Sequence, residues 1–152
     1  MDRVIRVLVV EDGTEYSDTL GRFAGEGFAF SRAGDGNAAM AAAARGETDL
    51  LFLDMRFDRV PAPALLGDLA ETVERFNGDP VRARKFLEDN QGAYILSALR
   101  ASGCTLPAVF SHDFDGEPKR WANLVKRYAP LHYLRDNASA AEIRAVLREA
   151  AG

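Results

Sequence analysis

Lysine, histidine, cysteine and tryptophan are scarce in this chain: its 152 residues hold three, two, one and one of them. The lone Cys104 excludes an internal disulfide, and its place in SGCTLP, ahead of an apolar run, fits a buried and inert thiol. The lysines (Lys85, Lys119, Lys126) all fall away from the strand ends expected below, so positive charge at such an end has to come from arginine, of which there are 16. Long apolar runs are missing too. The stretch VIRVLVV near the start is short and broken by Arg6, so neither a signal peptide nor a membrane span is expected, and the cytoplasm is the expected location. Nor is there a basic stripe, because the net charge of −4 is spread with both signs interspersed; direct nucleic-acid binding is not expected. What is present is 47% apolar residues in a length that suits one domain, residues 1–152, without internal repeats.

Along the chain, strand and helix patterns alternate. Residues 4–10 read as a strand, followed by helical spacing of Tyr16, Leu20, Phe23 and Ala24, with Thr14 placed to cap the first turn and Gly25 and Gly27 to end it. FAFSRA (28–33) reads as a strand, 37–45 as an alanine-rich helix stopped by Gly46, and 49–54 as a strand. Further on come a strand over 107–111, a helix opened by Pro118 with Trp121, Leu124, Val125 and Tyr128 on one face, and a strand LHYL (131–134). The last helix begins with a capping box of Ser139 and Glu142. Five such alternations with short connections imply an α/β fold: a doubly wound, five-stranded parallel sheet with helices on both faces. Residues 55–106 are too long for one crossover. Leu65, Leu66, Leu69, Val73 and Phe76 give one amphipathic helix, Asp79 and Pro80 start another, and Gly92 precedes a third, AYILSALRA.

Two buried-strand patterns end on acids: VLVV runs into Glu11 and Asp12, and LLFL into Asp54. Such strand ends form the ligand crevice of an open α/β sheet. Three carboxylates gathered there repel one another unless a cation sits among them, and a hard oxygen-seeking ion, Mg²⁺, is the one expected. The alternative for Glu11 and Asp12 is capping of the first helix, where the helix dipole favours acids.

On the segments VLVVEDG, DLLFLDM and YLRDNASAAEI the chain resembles the receiver domain of bacterial two-component response regulators, over about residues 4–55 and 92–150. The resemblance implies a flavodoxin-like (βα)5 fold with a helical insertion, over about residues 57–91, between the third strand and the helix led by Gly92. It implies that Asp54 accepts a phosphoryl group, that Mg²⁺ is held by Glu11, Asp12, Asp54 and the backbone carbonyl of Arg56, and that Ser111 and Arg135 face the phosphoryl oxygens. Arg135 stands where the family carries lysine, and its planar fork needs different space from a compact ammonium. His132 stands at the family's switching aromatic, and His112 where the family has a small residue. Trp121 lies on the helix that contributes to the family's partner surface.

The function so implied is a stand-alone receiver, not an enzyme beyond its own phosphorylation and dephosphorylation. It would be charged by a histidine kinase or phosphotransfer protein and read by a downstream protein, and the last-helix face is compatible with a homodimer. Two other readings stand beside it. One is a pseudo-receiver that works as a scaffold without phosphorylation, motivated by Arg135, His132 and His112. The other is a Mg²⁺-dependent phosphoryl-transfer domain of the Toprim type, which wants aspartates two residues apart where Asp54 and Asp58 are four apart.

Overall fold

A computed structural model describes residues 3–23, 26–135 and 137–152. Its single sheet holds β1 (Ile5–Val10), β2 (Phe28–Ala33), β3 (Leu50–Asp54), β4 (Ala108–Ser111) and β5 (Leu131–Leu134), all parallel, in the order β2-β1-β3-β4-β5. The Val- and Leu-rich sequences of β1 and β3 suit strands covered on both faces. Seven α-helices are described: α1 (Glu15–Phe23), α2 (Gly36–Ala44), α3 (Leu69–Arg75), α4 (Pro80–Asp89), α5 (Gln91–Ala101), α6 (Pro118–Tyr128) and α7 (Ala140–Ala151). Ala24 and Gly25, expected at the end of α1, lie outside the described residues.

Strand alternation splits the core into two layers. Leu8, Val10, Leu51, Leu53 and Phe110 pack with Leu87 of α4, with Ile95, Leu96 and Leu99 of α5, and with α2 and α6. Val7, Val9, Phe52 and Val109 pack with Leu20 of α1 and with Leu147 and Ala150 of α7. The sheet is therefore doubly wound, as expected, in the flavodoxin-like order. Several helix starts use local caps that are legible in sequence. Asp35, Asp79 and Ser139 accept backbone N–H groups at the starts of α2, α4 and α7.

The segment between β3 and α5 differs from the expected pattern in one place. The spacing from Leu65 to Phe76 predicts a continuous helix, yet only Leu69–Arg75 is helical. Gly67 takes a φ of +111°, Leu65 is extended, and Asp68 restarts the chain as the cap of α3, accepting from Glu71 N–H. Leu65 is consequently free to enter the core together with Met55, Phe57 and Val60. Gln91, fully buried, ties the segment down: its amide accepts from Leu66 N–H (2.7 Å) and donates to the carbonyls of Leu66 (3.0 Å) and Leu87 (3.2 Å). Each polar atom of that side chain is thus satisfied inside the core.

Gly92 lies in the first turn of α5 rather than breaking a helix. Its N–H donates to the Met55 carbonyl at 2.9 Å, and a Cβ placed on it would come within 2.2 Å of the Asp54 carbonyl oxygen. Alanine at this position has to push backbone away from backbone. Gly92→Ala is expected to lower stability by about 2–3 kcal/mol. Gly21→Ala, in open space within α1, is expected to raise it by about 0.5–1 kcal/mol. Urea denaturation of the two variants checks both signs.

Candidate functional site

The carboxyl ends of β1, β3 and β4 bring Glu11, Asp12, Asp54 and Ser111 to one edge of the sheet. Glu11 is 1% exposed and bends back over the start of α1, where its carboxylate accepts the N–H groups of Tyr16 (3.0 Å) and Ser17 (2.7 Å) and the Ser17 hydroxyl (2.8 Å). It therefore does the capping work expected of Thr14, whose carbonyl accepts from Asp18 N–H. The positive end of the helix dipole adds to this attraction.

Asp12 remains more open. Its Oδ2 accepts the backbone N–H of Arg59 at 2.8 Å, and the Arg59 guanidinium pairs with Glu15 at 2.6 Å. This pair crosses directly above Gly13, where a Cβ would meet Glu15 and Arg59 atoms at 2.0 and 2.2 Å. A side chain at Gly13 would displace the exposed ends of Glu15 and Arg59 rather than any backbone. Arg59 was not legible as a site residue, since it is an ordinary surface arginine in sequence and only the fold sets it beside Asp12.

Asp54, at the last position of β3, is half-buried. Burial pushes its carboxyl up to about 6, the charges of Asp12 and Glu11 push the same way, and hydrogen bonds from the N–H groups of Met55 and Arg56 pull partly back. The carboxyl thus lies in a position where a cation is favoured. Ser111 pairs in register with Asp54 across β3 and β4 and is 8% exposed. Arg56 follows in the turn; its exposed side chain reaches Asp58 (3.5 Å) and Asp89 (3.3 Å).

Among the described residues no three His, Cys, Asp or Glu side chains are gathered closely enough to hold a metal ion between them. Asp12 and Asp54 are left as the carboxylates open to an ion, which suits Mg²⁺, a cation that takes one or two protein carboxylates and keeps several waters.

Arg135, expected to face phosphoryl oxygens, is exposed and its Nε binds Asp115 Oδ2 at 2.7 Å in the β4–α6 loop. The Tyr133 hydroxyl donates to the other oxygen of the same carboxylate. Tyr133, rather than His132, enters the core layer under α6, with its ring 4.7 Å from Trp121 and 5.4 Å from Phe114. Strand alternation puts His132 on the opposite side, with Leu134. Trp121 is partly buried and its ring packs at a tilt against Phe114, 5.0 Å between centroids, so it belongs to this cluster. His112 is partly exposed but not free: its Nε2 lies 2.9 Å from Glu117, and that bond holds the Glu117 carboxyl below its ordinary range. Glu117 also pairs with Arg120 (3.1 Å), which donates to Asn90 (2.7 Å) at the head of α5.

No family model and no curated protein matches this sequence. Solved structures do. The Francisella response regulator 1452 receiver domain superposes with a TM-score of 0.65 at 16% identity, covering 97% of this chain and 96% of that one. The NtrX receiver domain of Brucella abortus gives 0.64 at 20% identity, over 95% and 97% of the two chains. The Vibrio cholerae chemotaxis protein CheY4 gives 0.65 at 14% identity, over 97% and 98%. The fold of this chain is accordingly the receiver fold. No described helix is long and apolar enough to cross a membrane.

Because folding raises the Asp54 carboxyl to about 6, its contribution favours the native state below the ordinary aspartate value near 3.8 and is lost as the pH climbs through 6. Asp54→Asn is therefore expected to stabilise the protein at pH 7.5 by about 2 kcal/mol, after allowance for solvent screening, and to leave it unchanged near pH 3.5. Millimolar Mg²⁺ is expected to raise the melting temperature of the parent protein and not that of the variant. Thermal melts at the two pH values, with and without Mg²⁺, read both effects.

Proposed function

We propose that this chain is a signalling receiver in which Asp54 accepts a phosphoryl group from a histidine kinase or phosphotransfer protein. The observation that carries the reading is the placement of a half-buried strand-end carboxylate beside Asp12 and the Ser111 hydroxyl, in a receiver fold. In the transfer, an Asp54 oxygen attacks phosphorus, an O–P bond forms as the P–N bond of the donor phosphohistidine breaks, and the imidazole leaves with the electron pair and takes up a proton. Bound Mg²⁺, held by Asp12, Asp54 and the Arg56 carbonyl, would neutralise charge on the transferring group. The Ser111 hydroxyl would donate to a phosphoryl oxygen.

Arg135 gives the signal its route. A phosphoryl group on Asp54 competes with Asp115 for this guanidinium, and a phosphate with two negative charges is the stronger partner. Release of Arg135 leaves Asp115 to Tyr133 alone, whose ring touches Trp121 of α6. The change is then passed to a downstream protein through the surface of α6 and β5. Residues 57–91 form a helical insertion relative to the common receiver plan, and this segment is where a partner would meet features particular to this chain.

A second reading, a pseudo-receiver that acts without phosphorylation, draws on two observations: Glu11 is committed to α1, and Arg135 to Asp115. Amide NMR spectra in Mg²⁺, with and without beryllofluoride as a phosphoryl mimic, separate the two. For a working receiver, large shifts are expected at Ser111, Tyr133, Trp121 and Arg135, and Asp54→Ala is expected to abolish them. Spectra unmoved by beryllofluoride would establish the pseudo-receiver.

A further inference from the structure

A groove of about 490 Å³ runs between α5 and α6 on the side where α3 and α4 close over them. Its walls carry Arg75, Arg120 and Arg127 together with the rings of Phe86, Tyr94 and Tyr128, and no Asp or Glu lines it. That composition is unusual for this molecule, which has more acids than bases. Outside the groove, five arginines of the described residues sit on carboxylates: Arg6 on Asp49, Arg56 on Asp58 and Asp89, Arg59 on Glu15, Arg84 on Glu88, and Arg135 on Asp115. Among the described residues, Arg75 and Arg127 are in no ion pair; Arg75 lies over the Phe86 ring at 5.3 Å. Arg120 is bonded to Glu117 and to Asn90, which positions its guanidinium at the groove.

From this arrangement we propose that the groove is a docking site for an acidic, partly apolar peptide segment of a partner protein. The guanidinium groups meet the carboxylates, and the rings with Leu124 and Ala93 take the apolar side chains between them. Charge complementarity selects the occupant, since an acidic segment supplies the anions that the groove lacks and a basic one would be repelled. Asp54 does not line the groove.

The test uses the full, unphosphorylated chain and a fluorescein-labelled dodecapeptide of alternating Glu and Leu, read by fluorescence anisotropy at low salt. Saturable binding is expected, with an affinity at least tenfold weaker for the double variant Arg75→Glu/Arg127→Glu. The double variant Arg3→Glu/Arg144→Glu, which changes net charge equally but lies away from the groove, is expected to stay within twofold of the parent. The Lys–Leu counterpart peptide is expected not to bind. Circular dichroism of both variants establishes that they are folded. Absence of saturable binding, or equal losses in the two variants, would overturn the proposal. So would a single-stranded DNA dodecamer that binds the parent protein more tightly than the peptide, which would assign the groove to nucleic acid.

Discussion

The contact between the first turn of α5 and the peptide that follows Asp54 governs how the rest of the site is arranged. Gly92 N–H bonds the Met55 carbonyl, and the missing Cβ lets helix backbone rest on strand backbone. Residues 55–91 become a closed loop whose two ends meet under the acidic edge. The turn after Asp54 is then held from below, and its N–H groups point at the Asp54 carboxylate. Inside the loop, Gln91 ties Leu66, and Arg59 ties Asp12 and Glu15. A segment long enough to move independently is instead pinned to the sheet at both its base and its crest.

Electrostatics at this edge is a division of labour among acids of one sign. Glu11 is engaged by the N–H groups at the head of α1. Asp12 has a single N–H from Arg59, and Asp54 bears the burial without an ion-pair partner of its own among the described residues. The nearest arginine in the expected chemistry is tied to Asp115. This sets Asp54, whose carboxyl burial pushes up to about 6, apart from Asp49, whose carboxyl is brought down to about 2 by Arg6.

Local features were legible in the sequence and spatial choices were not. FAFSRA and LHYL form strands with the expected bounds, and Asp79 and Ser139 cap helices as expected, because each depends on a few adjacent residues. The helix expected from Leu65 onward failed at Gly67, whose left-handed φ outweighs the apolar spacing around it. Glu11 had two readings in the sequence, metal ligand or helix cap, and only the position of α1 in space brings its carboxylate to the N–H groups of Tyr16 and Ser17. Tyr133 and His132 differ by one place on β5, and facing followed from where the strand meets α6. The bond of Arg135 to Asp115 joins residues on separate connections, and no spacing rule reaches that far.

The chain has one tryptophan, and the fold seats it against Phe114 and against Tyr133, the ring tied to Asp115. Indole emission responds to the polarity and quenching groups around it, so Trp121 is a built-in optical probe of the β4–α6 corner. No label or second fluorophore has to be introduced. Events at the sheet edge can thus be followed in real time, in the native protein, by light alone.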